Sequence, residues 1–231
     1  MPWALFDLDD TLLDHDSFRR FTAHLLRRNP LRLATAVALT PVVALLYSRR
    51  RWRAHAGSLL LWTGTVGLGD TNLRLIVTDH LRRLRVRERL RPGGIEALAG
   101  HLRVGHDVAV VTGSAELLAV PLCREIDPRI RVVGSTLRRR LGGLVADRHC
   151  HGSRKVTMLT EAGVTGEIVA AYGDDVADRA MLDAANTAYL VNMAESAEVE
   201  LRERLLGRVV SVHWPALTRR AGGPMGTPRS D

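Results

Sequence analysis

With 231 residues, 46% of them hydrophobic and 25% charged, the chain is the size of one domain, or of one domain carrying an insertion, and it can bury a core. That apolar content excludes a disordered chain, and two cysteines, Cys123 and Cys150, exclude a disulfide framework or a four-ligand zinc site. Thirty-three basic residues against 25 acidic ones give a net charge of +8, and one segment accounts for the excess.

In chain order, Trp3-Ala4-Leu5-Phe6-Asp7-Leu8 is a short apolar run ending in acids, which predicts a buried strand with carboxylates at its carboxyl end. Asp7, Asp9 and Asp10 stand where a signal peptide needs an apolar stretch, so a reducing, cytosol-facing location is expected. From about Asp16 to Arg91 the pattern is helical. Pro92-Gly93-Gly94 ends that region, and a helix resumes over Ile95 to Leu102. Asp107 to Val111 predicts a second buried strand, followed by Thr112-Gly113-Ser114, and Arg131 to Ser135 a third. Leu137 to Val145 predicts a hairpin turning at Gly142-Gly143. Ser153 is placed to cap a helix carrying Lys155, Val156 and Leu159. Ile168 to Tyr172 is a fourth strand, ending in Gly173-Asp174-Asp175, and Ala188 to Val191 a fifth. From Arg219 on, the composition is that of a loose tail.

Between Ser17 and Gly69 lie nine arginines and no acid, leaving 24 bases against 25 acids elsewhere. A charge so segregated predicts an anionic partner for that segment. No aromatic-studded RNA motif or DNA-reading helix accompanies it, so nucleic acid is not expected. Two uncharged runs do accompany it, Leu33 to Tyr47 and Ala54 to Gly69, separated by Ser48-Arg49-Arg50-Arg51-Trp52-Arg53. As a helix the first run is roughly 22 Å long, short of the roughly 30 Å hydrocarbon core, and Pro41 interrupts it. Two readings follow. The runs are buried helices of a soluble cap, or they lie in the interface or dip into one leaflet with their arginines on the cytoplasmic face.

Strands alternating with helices predict an α/β fold, a mostly parallel sheet covered on both faces, with its chemistry beyond the carboxyl ends of the strands. Three such ends carry complementary groups: Asp7 and Asp9, Thr112, and Asp174 with Asp178. Converging carboxylates repel without a cation, and oxygen-only donors select a hard ion such as Mg²⁺. Metal-assisted phosphoryl transfer is the expected chemistry. Lys155 adds to this, being the only lysine among 33 basic residues, and a compact ammonium suits a crowded anionic site.

These residues carry a resemblance. Asp7-Leu8-Asp9-Asp10-Thr11, Thr112 after a strand, Lys155, and Gly173-Asp174-Asp175-Val176-Ala177-Asp178 resemble, in order and separation, the four motifs of the haloacid dehalogenase (HAD) superfamily. Cys150-His151-Gly152-Ser153-Arg154-Lys155 is similar to the Cys-x-Gly-x-x-Lys form of the phosphoserine-phosphatase-like branch. Leu25 to Leu31, the apolar run with Pro41, and Ser58 to Trp62 resemble the cap of the phosphatidylglycerophosphatase C family. One departure is Asp10, where glycine is common.

The resemblance implies a Rossmann-like three-layer catalytic core over residues 1–15 and 90–215, a helical cap over 16–89 and a flexible tail over 216–231. It implies Asp7 as nucleophile forming an aspartyl-phosphate, and Asp9 as acid and then base whose backbone carbonyl also ligates Mg²⁺. Thr112, Gly113 and Ser114 would bind the phosphoryl group, Lys155 would neutralise it and hold Asp7 ionised, and Asp174 and Asp178 would serve the metal with Asp7 and Asp9. Asp175, Arg179, His149 and His151 read as ordinary polar groups, and the cysteines as packing residues. The substrate expected is a phosphomonoester. The acid-free, arginine-rich cap argues against phosphoserine, though Asp14, Asp16 or Asp70 would suit its ammonium. It argues for an anionic phospholipid such as phosphatidylglycerophosphate at the cytoplasmic membrane face. A soluble small-metabolite phosphatase of the cytoplasm is the alternative. A non-catalytic adaptor is a third reading, opposed by the intact acidic set. Nothing in the sequence fixes an oligomeric state.

Overall fold

The computed structural model describes residues 1–49 and 52–217; Arg50, Arg51 and the expected tail from residue 218 on lie outside the described residues. Seven strands form one sheet: β1 (Trp3–Phe6), β2 (Asp107–Ala115), β3 (Arg131–Arg140), β4 (Gly143–Arg148), β5 (Ile168–Gly173), β6 (Thr187–Val191) and β7 (Arg208–Val212). Their order is β4-β3-β2-β1-β5-β6-β7, parallel throughout except for the β3–β4 hairpin. The α/β class expected from alternating strands and helices is what the chain adopts.

Period-two alternation sorts the side chains onto two faces. Ala4, Phe6, Val108 and Val110 enter one cluster, with Leu98 of α6 (Pro92–Arg103) and Leu118, Ala119 and Leu122 of α7 (Glu116–Ile126). Trp3, Leu5, Ala109 and Val111 enter the other. There they meet α8 (Arg154–Glu161), α9 (Arg179–Asp183) and α10 (Glu195–Arg204) through Leu159, Met181 and Leu201.

Between β1 and β2 run five helices: α1 (Ser17–Arg27), α2 (Pro30–Ala38), α3 (Thr40–Ser48), α4 (Arg53–Thr65) and α5 (Asp70–Leu84). Asp16 caps α1 by accepting from the Arg19 N–H at 2.7 Å. Asn29 caps α2 through the N–H groups of Leu31 and Arg32, with Pro30 in the first turn where no N–H is missed. Phe21, Leu25, Leu61, Leu73, Ile76 and Val77 make this insertion continuous with the first core cluster.

The two apolar runs have different fates. The second becomes α4, which buries Ala56 and Leu61 and clamps the hairpin: Thr65 Oγ1 accepts from the Leu144 N–H at 2.8 Å and Ser58 Oγ from that of Ala146 at 3.1 Å. The first run, with the residues just before it, becomes α2 and α3, bent by 51° at Leu39 with Pro41 in the first turn of α3. Ala36 is the only buried residue of α2, α3 buries none, and Leu31, Val37 and Leu45 are 77%, 63% and 65% exposed. No single described helix is long and apolar enough to cross a membrane.

Several local expectations need correcting. Pro92-Gly93-Gly94 forms the first turn of α6 instead of a break, because Trp214 lies so close that a Cβ on Gly93 would sit 2.4 Å from its ring. The hairpin turns at Leu141-Gly142, both at positive φ, and Gly143 already belongs to β4. The third strand and the first hairpin strand are one continuous β3. Ser153 precedes α8 but makes no side-chain cap, its backbone being already helical. The strand β7 was not expected; five residues with charged and polar members give no clear alternation.

Gly93→Ala is expected to cost about 1–3 kcal/mol through overpacking against Trp214. Gly57→Ala, within α4 and with open space around it, is expected to gain up to about 1 kcal/mol. Urea denaturation of the two proteins measures both.

Candidate active site

The sheet register assembles the site. Phe6 pairs with Val110 on one side and Tyr172 on the other, so the next residue, Asp7, falls between the carboxyl ends of β2 and β5. Its N–H donates to the Tyr172 carbonyl at 2.9 Å, and in that register it falls level with Val111, one residue before Thr112, and with Gly173, one residue before Asp174. Lys155, on the first turn of α8, reaches across. Its ammonium donates to Asp7 Oδ1 at 2.5 Å, to Asp178 Oδ1 at 2.5 Å and to the Val111 carbonyl at 3.0 Å. All three of its donors are used, and the residue is only 3% exposed. Gly173 is required here, because a Cβ would sit 2.6 Å from Asp178 Oδ2.

Asp174 accepts from the Thr11 hydroxyl at 2.8 Å. One carboxylate oxygen each from Asp7, Asp174 and Asp178 lies within 4.8 Å of the others. Burial pushes the Asp7 carboxyl well above the usual carboxylate range; the Lys155 ammonium opposes this, while Asp178 and Asp174 add to it. Burial likewise raises Asp174 to about 7, against the Thr11 bond and with Asp178 beside it. Lys155 is driven the other way from what its burial alone dictates, held charged by Asp7 and Asp178. Two buried carboxylates and the half-buried one of Asp174, against one ammonium, leave negative charge uncompensated, and every donor is oxygen. The set fits a hard divalent cation such as Mg²⁺, which would be held by Asp7, Asp174 and Asp178. The Asp9 carboxylate is outside this group. It accepts from the Ser17 N–H at 2.8 Å, at the start of α1. Burial raises Asp9 to about 7, the Ser17 contacts opposing.

Asp10, the position where the resemblance favours glycine, has φ 59° and ψ −10°. That left-handed conformation explains the glycine preference, and aspartate is among the few residues that tolerate it. Thr112 Oγ1 accepts from the Ser114 N–H at 2.9 Å, and the Ser114 hydroxyl meets that of Ser17 at 3.0 Å.

Asp7, Asp9, Thr112, Gly113, Ser114, Lys155, Asp174 and Asp178 all line one cavity of about 480 Å³. Sequence reasoning assigned no role to Thr11 and Ser17, which bond to Asp174 and Asp9, or to Ser135, which lines the cavity. Ser135 donates to the Gly113 carbonyl at 2.7 Å and lies 3.0 Å from His149 Nδ1. His149, stacked on His151 with ring centroids 5.2 Å apart, also lines the cavity, as does His151. Phe18, Tyr47 and Leu61 of the inserted helices close the apolar side, and Asp16 lines it too. No arginine does so among the described residues. The described cap arginines therefore stand outside the catalytic cavity. Burial pushes the Cys150 thiol up to about 11, in keeping with a packing role.

The family model for haloacid dehalogenase-like hydrolases matches residues 4–183. The chain belongs to this family. Protein CicA of Caulobacter vibrioides is 30% identical over 186 residues, covering 77% of this chain and 80% of CicA. A protein of unknown function from Bordetella pertussis Tohama I superposes with a TM-score of 0.74 at 21% identity, covering 91% of this chain and 98% of that one. A phosphoserine phosphohydrolase-like protein from Francisella tularensis subsp. tularensis SCHU S4 gives 0.57 at 17%, covering 91% and 95%. At 21% and 17% identity, these two structures show a shared fold.

Lys155→Met leaves two buried carboxylates without their cation and is expected to cost about 3–5 kcal/mol at neutral pH. Without the ammonium the folded protein binds protons more tightly than the unfolded chain does. The deficit therefore shrinks as pH falls and grows as pH rises, which urea denaturation across pH checks.

Proposed function

We propose that the chain is a Mg²⁺-dependent phosphomonoester hydrolase working through an aspartyl-phosphate on Asp7, with the inserted helices as its cap. The observation that supports this best is the single buried cluster in which Lys155 bridges Asp7 and Asp178 beside Asp174. Asp7 Oδ1 is occupied by the ammonium, which leaves Oδ2 to attack phosphorus in line. As the bond from phosphorus to the leaving oxygen breaks, Asp9, protonated near neutrality, gives that oxygen its proton. Water then attacks the phosphorus of the aspartyl-phosphate and loses a proton to Asp9, releasing phosphate and restoring the Asp7 carboxylate. Thr112, the Gly113 N–H and Lys155 stabilise the charge spreading over the phosphoryl oxygens. A bound Mg²⁺ screens the repulsion between Asp7 and the phosphate dianion.

The substrate proposed is a lipid phosphomonoester met at the cytoplasmic membrane face. In support, Tyr47 lines the cavity from α3, where Val42 and Leu45 are exposed apolar side chains, with arginines at either end of α2–α3. One observation favours a second reading. Asp10 and Asp16 line the cavity and no described arginine does, which suits a leaving group carrying an ammonium, such as phosphoserine.

Asp7→Asn is expected to lower kcat by on the order of 10⁴-fold or more. Asp9→Asn is expected to lower it by about 10²–10⁴-fold on alkyl phosphates, and much less on an aryl phosphate whose phenolate leaves unaided. With the native protein, alkyl phosphate turnover should fall as pH rises through about 7, and Asp9→Asn should lose that limb. Phosphate release from long-chain phosphatidylglycerophosphate in micelles, compared with phosphoserine, decides between the two substrates. A gain confined to the lipid supports the first reading, and equal or better turnover of phosphoserine overturns it.

A further inference from the structure

A second cavity, of about 580 Å³, lies in the cap between the α1–α2 corner and α5, and shares no residue with the catalytic one. On the α5 side its lining recurs at helical spacing, Asn72, Ile76, Asp79 and Arg83, one face of the helix. On the other side stand Arg28, Asn29 and Arg32. Three guanidinium groups thus meet a single carboxylate. Arg28 donates one N–H to Asp79 Oδ2 at 3.1 Å, and Arg83 uses only Nε, at 2.9 and 3.0 Å from the two Asp79 oxygens. Arg32 is fixed by the Gly64 and Val66 carbonyls at 3.0 and 2.9 Å, at the end of α4. Each guanidinium has five donors, so most of theirs remain uncommitted. Asp79 acts as a tether, holding Arg28 and Arg83 side by side in the forked arrangement that suits a planar or tetrahedral oxyanion.

We propose that this cavity binds a phosphate-bearing anion between Arg28 and Arg83, with Arg32 supporting the wall. The charge is in excess before any ligand arrives. Asn29 spends its side-chain oxygen on the α2 cap. Arg28 and Arg83 are exposed, and Leu68 and Ile76 line the same cavity. Two sources share this chemistry: the head group of an anionic phospholipid and a soluble phosphate. The inference requires neither the aspartyl-phosphate mechanism nor a lipid substrate, since none of these residues lines the catalytic cavity.

Opposed substitutions test it. Arg28→Gln with Arg83→Gln removes the fork, whereas Asp79→Asn removes the internal competitor. Flotation with phosphatidylcholine vesicles, with and without phosphatidylglycerol, reads the lipid source. Titration with inorganic phosphate, read at the side-chain amide resonances of Asn29 and Asn72, which line the cavity in every variant, reads the soluble one. In at least one arm the paired arginine variant should bind about tenfold more weakly, and Asp79→Asn as tightly as the native protein or tighter. Turnover of a soluble phosphomonoester and the thermal midpoint report on folding, and both should stay near native in Asp79→Asn. A response in the vesicle arm assigns the lipid, and one in the phosphate arm alone assigns a soluble anion. Native-like binding by the arginine variant in both arms overturns the site. So does a loss in Asp79→Asn parallel to that of the arginine pair, which would make the cluster an ion-pair brace.

Discussion

An ammonium buried among carboxylates is costly in water-free surroundings unless each charge is matched. Lys155 meets that condition by spending all three donors on Asp7, Asp178 and the Val111 carbonyl. Its partners come from β1 and from the turn after β5, and it is itself 148 residues from Asp7. No local segment can form this contact. It needs β1 at the centre of the sheet, flanked by β2 and β5, and α8 packed on the second face. The parallel sheet and the site are therefore one construction: the register that seats Phe6 between Val110 and Tyr172 is the register that brings the charges together. The match is also incomplete. Asp174 is half-buried with the Thr11 hydroxyl donating to it, its carboxyl raised by burial, and a divalent cation would answer the unmatched negative charge there.

The cap enters the chemistry through Ser17. Its N–H holds the Asp9 carboxylate and its hydroxyl meets Ser114, so the first turn of α1 touches both the proposed proton donor and the phosphoryl-binding loop. A shift of α1 would change the position of Asp9 and its protonation together, because the Ser17 contacts oppose the burial that raises it. The loop from β1 to α1 has little freedom to absorb such a shift, with Asp10 held in the left-handed region and Asp14 tied to His15 and Arg89.

What the sequence disclosed, and what it withheld, follows from the range of the interactions. The strands of the parallel core were legible as short apolar runs, and the acidic motifs stood at their ends. The solitary lysine marked itself by composition, since arginine serves everywhere else. Ser17, Thr11, Ser135 and His149 were not legible, because common polar residues acquire a role only through a neighbour distant in the chain. Gly93 and Gly94 read as a break because their closeness to Trp214, more than a hundred residues on, has no local signature. The two apolar runs looked alike in composition. Only the hairpin of β3 and β4, which α4 covers through Trp62, Ser58 and Thr65, separates them.

That separation bears on why α2 and α3 exist as they do. Helices of nine residues are marginal in water, and in proteins they persist by burying an apolar stripe. α4 does so, whereas α3 rests on α4 without burying any residue of its own. Its valines and leucines thus contribute almost nothing to the core, and the exposed Leu31, Val37, Val42 and Leu45 form the kind of surface that soluble chains keep small. The capping of α2 by Asn29 and Pro30 and the turn at Pro41 fix where these helices begin, but capping supplies only about 1 kcal/mol. Further stabilisation comes from the packing of α2 on α1 and α4 and of α3 on α4. The lipid phase proposed for the substrate would cover these exposed side chains beside Tyr47, which lines the catalytic cavity.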